Sequence, residues 1–202
     1  PHYFFLVAEK TAKYDRNILP TEPALKELIS RHAAKYSLGV HPSWQSYGKI
    51  ATLKSEIDFL EKTSGQKIIS SRQHFIRFEL PQTYGMLIEA GILKDFSMGY
   101  GSINGFRASV ANSFYWYDLE KEEQTSLMVY PFCYMDANSF FEQKLSPDEA
   151  LREMTSYYNK VREVGGMMIT IWHNTFLGTD PMFRGWREAY KEFLDVISNI
   201  EY

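Results

Sequence analysis

Three of the five histidines in this 202-residue chain stand just past short apolar runs. His41 ends "LGVH", His74 follows "KIISSRQ", and His173 ends "MMITIWH". Acids and arginines fall at comparable places: Asp15 and Arg16 after the first apolar run, Arg72 two residues before His74, and Asp95 and Ser97 in "LKDFSMG". Arg107 lies in "GFRAS", and Asp136 follows "SLMVYPFCYM". Imidazole exchanges a proton near neutral pH and ligates metals through either ring nitrogen. Carboxylates act as bases or ligands, and guanidinium groups pair with carboxylates in a fixed geometry. A single histidine after a strand is more often a hydrogen-bonded structural residue. Three in equivalent positions, accompanied by acids and arginines, shift the balance toward a functional site.

The elements that must carry these residues alternate between strand and helix signals. Tyr3 to Val7 reads as a strand, and a helix with Pro23 in its first turn follows, with Leu25, Leu28 and Ile29 at helical spacing. The next strand ends at His41, where Pro42 forbids a regular central strand from continuing. Ile50, Leu53, Ile57 and Leu60 then mark a helix that Gly65 stops. "KIIS" is a third strand, "TYGMLIEAG" a short helix, and "LKDFSM" a fourth strand. Gly99 to Thr125 reads as mostly loop, with Gly105 to Arg107 as a short strand candidate, and "SLMVYPF" leads to Asp136. Ser146-Pro147-Asp148-Glu149 is a capping box that opens a long helix. "MMITIW" has the near-continuous apolar character of a strand buried on both faces, and a last helix presents Trp186, Tyr190, Phe193, Leu194 and Ile197.

Such alternation implies a parallel sheet covered by helices. No glycine-rich turn follows either of the first two strands, as an open nucleotide-binding sheet would require. "GYGSING" follows a late strand and opens no evident helix, so it carries little weight as a phosphate loop. The fold expected is α/β, an incomplete or distorted (β/α) barrel, in which the strand ends His41, Arg72, His74, Asp95, Arg107, Asp136 and His173 share the functional face. Residues 1–202 read as a single domain, large enough to bury a core without staples.

Composition narrows the partners. Hydrophobic residues make up 45%, charged residues 23%, and the net charge is -3, which gives no electrostatic footprint for nucleic acid. One cysteine, Cys133, cannot form an internal disulfide, and no apolar run reaches the length of a membrane span. These numbers do not separate a cytoplasmic from a cell-envelope location. Aromatic content of 16%, concentrated in "FYWYD" and "VYPFCY", suits core and loop packing, or stacking against sugar rings.

With "LGVHPSW", "SRQHFIRFELP", "DFSMGYGSINGFRAS" and "TIWHN" in that order at strand ends, the chain resembles the polysaccharide deacetylase family, carbohydrate esterase family 4, and most closely its divergent bacterial branch. The resemblance spans roughly residues 3–174. It implies a distorted barrel of the polysaccharide deacetylase type that removes acetyl groups from a carbohydrate substrate with zinc or another divalent metal. Mapped by motif, it implies His41 as a metal ligand, Arg72 as the residue that orients the base, and His173 as the general acid. Trp44, Tyr100, Arg107 and Trp116 are the candidates for substrate contact.

The departures are equally specific. The second metal histidine of the family falls at Gln45, a poor zinc ligand, which leaves His74 as the substitute. The family's strand with both catalytic aspartates would precede Tyr3, so the resemblance implies a barrel truncated at its amino end. Asp95 or Asp136 would then have to take over an aspartate's role. A barrel short of a strand leaves unpaired edges through which copies of the chain would associate. The alternative reading is a catalytically inactive carbohydrate-binding barrel, its groove lined by Trp44, Tyr100, Tyr115 and Trp116.

Overall fold

The computed structural model describes residues 1–199, which divide into two compact units. The first comprises Pro1–Ser97 with Phe114–Tyr130. Its sheet has the order β1 (His2–Phe5), β2 (Ser37–Val40), β3 (Ser70–Ser71), β4 (Lys94–Asp95), β6 (Glu123–Val129) and β5 (Phe114–Asp118). All neighbours are parallel except β5 and β6, which form an antiparallel hairpin.

Helices α1 (Pro23–Ala33), α2 (Ile50–Ser64) and α3 (Gln82–Glu89) belong to this unit. Pro23 starts α1 in the position where a missing N–H costs nothing. Leu25 and Ile29, one turn apart, are the residues it buries. Leu53, Ile57 and Leu60 form the buried stripe of α2, and the left-handed Gly65 at φ 69° ends it as expected. Leu38, Val40, Ile68, Leu87 and Ile92 are among the buried residues of this unit.

The second unit comprises Met98–Ser113 and the chain from Pro131 onward. Two short strands, β7 (Tyr134–Met135) and β8 (Thr170–Ile171), pair in parallel. Helices α4 (Pro147–Glu163) and α5 (Trp186–Ser198) pack on each other. The capping box is present in full: the Ser146 side chain accepts from the Glu149 N–H, and the Glu149 carboxylate accepts from the Ser146 N–H. Tyr134, Met154 and Phe193 make one buried cluster, and Ala150, Phe176 and Trp186 another.

Three expectations are corrected. Gly105 to Arg107 is not a strand, whereas Phe114–Asp118, read as loop, is β5. Its alternation of half-buried Phe114 and Trp116 with exposed Tyr115 and Tyr117 is an edge-strand pattern written in aromatics. The turn to β6 is fixed by Asp118, which accepts from the Glu120 and Lys121 N–H groups and pairs with the Lys121 ammonium at 3.0 Å. "MMITIW" is not buried on both faces: only Thr170–Ile171 pairs, and Met167 is 48% exposed. A sheet of two strands does not enclose a longer run. The strands assemble into two separate hydrogen-bonded sheets, and closure into one barrel is not part of the observed pairing.

At Gly39 the first sheet leaves no room for a side chain. A Cβ there would lie 2.5 Å from a Phe4 ring carbon and 2.9 Å from the Ser70 carbonyl oxygen. Gly39→Ala is therefore expected to lower the unfolding free energy by about 2 kcal/mol through overpacking, measured by urea titration; a change within ~0.5 kcal/mol, the range of an ordinary surface substitution, contradicts this account.

Candidate functional site

In the first unit the strand ends are extended by one residue each. The His41 N–H donates to the Phe5 carbonyl at 2.9 Å, the Arg72 N–H to Val40 at 3.1 Å, and the Phe96 N–H to Ser71 at 2.8 Å. This ladder sets His41 and Arg72 side by side. The His41 Nδ1 lies 2.6 Å from the Arg72 carbonyl oxygen, and its Nε2 lies 2.9 Å from Nδ1 of His74. The other nitrogen of His74 lies 2.9 Å from the Tyr14 carbonyl oxygen. His41 and His74, 33 residues apart in sequence, are thus neighbours through their ring nitrogens.

Two buried carboxylates hold the loop that follows His41. Asp15, with no exposed surface, accepts from the Trp44 N–H at 2.7 Å, the Gln45 N–H at 3.3 Å and the Gln45 amide at 3.0 Å. Glu56 of α2 accepts from the Ser43 N–H at 3.1 Å. The Gln45 side chain also donates to the Lys10 carbonyl oxygen, so its amide is spent on the loop. Trp44 lies against Tyr14 at 4.2 Å between ring centroids, and the Arg77 guanidinium lies 3.8 Å from its ring centre. Its indole is a packed part of this loop.

Arg72 places its guanidinium over the Phe4 ring at 4.4 Å, and its Nε donates to the Phe96 carbonyl oxygen at 3.4 Å. Asp95 is enclosed. It accepts from the hydroxyls of Ser71, Ser97 and Tyr84 and from the Ser97 N–H, at 2.8 to 3.1 Å, with no exposed surface. Burial pushes its carboxyl upward, and these hydrogen bonds pull the other way. Trp116 packs edge-on against Tyr84 at 5.2 Å.

The second unit holds the most completely defined pair. Asp136 follows β7 and is fully buried. Its carboxylate accepts from the backbone N–H of His173 at 2.6 Å, from the Ala137 N–H at 2.7 Å, and from Nδ1 of His173 at 2.6 Å. A carboxylate so placed fixes Nδ1 as the protonated nitrogen and leaves Nε2 to exchange a proton. The His173 side chain is 42% exposed while its partner is 0% exposed. Tyr100 is 40% exposed, and exposed Arg107 donates to the Gly99 carbonyl oxygen at 3.2 Å. Cys133 is buried, which pushes its thiol up to about 12, so it holds no thiolate for nucleophilic chemistry at neutral pH.

The structure thus joins His41 with His74 and Arg72, and His173 with Asp136. The partnership of Asp136 with His173 had no signal in spacing, because 37 residues separate them; the only hint was that each follows an apolar run. The loop-gripping roles of Asp15 and Glu56 were equally invisible. A catalytic zinc takes three protein ligands. Among the described residues no group of three or more histidine, cysteine, aspartate or glutamate side chains is arranged to hold a metal ion. His41 and His74 converge as two donors, Gln45 is spent elsewhere, and Asp95 is closed off by its four donors, so the set does not fit a complete metal site and no step is derived through one.

No protein-family model and no curated protein sequence matches the chain. Among solved structures it is similar to a crystal structure of a provisionally assigned polysaccharide deacetylase from Mycobacterium smegmatis, with a TM-score of 0.62 at 18% identity over 87% of this chain. The fold is deacetylase-like. The chain spans 62% of the length of that protein. Among the described residues, no helix is long and apolar enough to cross a membrane.

Glu56 makes the loop after His41 sensitive to pH. Burial raises its carboxyl from 4.5 to about 7, the Ser43 hydrogen bonds oppose this, and the charge of Asp15 adds to the rise. Because the folded value lies above the unfolded one, the stability contributed by neutral Glu56 is complete below about pH 4.5 and is lost as pH rises through about 7. Glu56→Gln, which cannot ionise, should therefore gain on the wild type by an amount on the order of 3 kcal/mol between pH 4 and pH 8. Urea unfolding at both pH values measures this, and a difference that does not change with pH contradicts it.

Proposed function

We propose that the chain is the acid–base portion of a hydrolase that removes an N- or O-acetyl group from a carbohydrate. The observation that carries this is His173, partly exposed, with Nδ1 anchored on the buried carboxylate of Asp136. The deacetylase-like fold supports the reaction class, and the position of both residues just past parallel strands agrees with where such folds keep their chemistry.

In this reading His173 Nε2 takes a proton from the water as its oxygen bonds to the acetyl carbonyl carbon, and returns that proton to the amine or alkoxide as the bond from that carbon to the sugar nitrogen or oxygen breaks. Acetate leaves as the second product. Asp136 holds the ring in one orientation and stabilises its protonated form without giving up its own charge. His41 and His74 converge as two imidazole donors, one short of the three that a catalytic zinc takes, and they carry no step of this reaction. Tyr100, 40% exposed in the same unit as His173, presents aromatic surface to a sugar ring.

The same two-imidazole set favours a second reading, a carbohydrate-binding barrel without hydrolysis, because it stops one donor short. Acetate release from an acetylated oligosaccharide, assayed with and without a chelator, separates the two. Release by the wild type should fall at least a hundredfold in His173→Ala and by a comparable factor in Asp136→Asn, which leaves the shape and loses the charge. Full activity in His173→Ala overturns the assignment, and glycan retention without acetate release selects the binding module.

A further inference from the structure

The glycine-containing segment "GYGSING" finds its use in the second unit. β7 is two residues long and has β8 on one side only. Its other side is met by the backbone of this segment: the Gly105 N–H donates to the Cys133 carbonyl oxygen at 2.8 Å. Gly105 adopts φ +143°, a conformation that side-chain-bearing residues avoid. The next bond of the ladder comes from a side chain. The Asn104 carboxamide oxygen accepts the Met135 N–H at 2.9 Å, one residue before Asp136.

Asn104 is itself fixed from every side. It is 6% exposed, and its amide nitrogen donates to the Ser139 hydroxyl at 2.8 Å, the Glu153 carboxylate at 2.8 Å and the Gln143 carbonyl oxygen at 3.1 Å. Asn138 anchors the preceding turn by donating to the Tyr100 and Ile103 carbonyl oxygens at 3.0 and 2.8 Å. The contacts to Ser139, Glu153 and Gln143 set which end of the Asn104 amide faces Met135: the nitrogen points to the carboxylate, the oxygen to the N–H. No backbone acceptor could supply both halves of this arrangement.

We infer that Asn104 is the positioning residue of the Asp136–His173 pair, acting through the Met135 backbone. The inference rests on the reading of that pair as the acid–base group. A two-residue strand has little of its own to fix where Asp136 begins, and an unmade bond at a buried Met135 N–H lets β7 shift toward another acceptor. A displacement of about an ångström suffices to spoil a short charge-assisted hydrogen bond and the rate that depends on it.

The experiment uses the intact chain with 15N-labelled histidine. The proton on His173 Nδ1, held 2.6 Å from a carboxylate oxygen, should give a low-field, slowly exchanging proton resonance that disappears in Asp136→Asn. Asn104→Ala should broaden or abolish this resonance and lower kcat for acetate release about tenfold with KM unchanged. Gln143→Ala, which removes one of the three acceptors of the Asn104 amide and leaves Ser139 and Glu153 to hold it, should lower both by less than Asn104→Ala does. Asn104→Asp keeps the acceptor for Met135 but faces the Glu153 carboxylate; adding Glu153→Gln restores a donor opposite it and should recover the resonance, which distinguishes positioning from a fold that has collapsed. A resonance unchanged in Asn104→Ala, or lost equally in Gln143→Ala, overturns the inference. A resonance that follows Asn104 in a protein releasing no acetate leaves the positioning intact and refutes only the hydrolytic reading.

Discussion

Backbone N–H groups just past a parallel strand have left the ladder and still need acceptors wherever the chain remains buried. In this protein buried carboxylates fill that need. Asp15 and Glu56 take the amides of Ser43, Trp44 and Gln45 after β2, Asp95 takes that of Ser97 after β4, and Asp136 takes those of Ala137 and His173 after β7 and β8. Each carboxylate loses water on burial and regains hydrogen bonds from backbone amides, which tie these loops to fixed acceptors.

The same device serves two kinds of partner. Asp95 uses its oxygens on four donors and meets no exposed side chain; it is a fastener between β3, β4 and α3. Asp136 spends two bonds on backbone amides and a third on an imidazole that reaches the surface. One acid closes on interior donors, and the other keeps its charge and holds an imidazole that reaches the surface.

The two sheets illustrate how much backbone pairing can be replaced by side chains. In the first unit, six strands fix one another and Gly39 lets β2 lie close to Phe4. In the second, two short strands depend on a carboxamide and a carboxylate for the bonds a wider sheet would supply. Polar networks of this kind are specific because every member must be satisfied at once. The Asn104–Ser139–Glu153–Gln143 cluster meets that condition at the edge of β7.

By itself the sequence determined the local elements and where chemistry could stand. Pro23, Gly65 and the Ser146–Glu149 box set helix ends through φ restriction and capping, forces that act over a few residues. Pro42 and the apolar runs ending at His41 and His173 marked strand ends for the same reason. Tertiary structure decided the partnerships: His41 with His74, Asp136 with His173, and Asn104 with Met135 are set by strand order and loop path, which no short spacing encodes. It also turned the aromatic run Phe114–Asp118 into an edge strand, because β pairing takes its register from a neighbour rather than from the strand's own residues. Asp95 became an interior support, and half-buried Trp44 a packed part of its loop, by the same logic: a side chain's type states what it is able to do, and the partners that fold around it decide whether it remains available to do it.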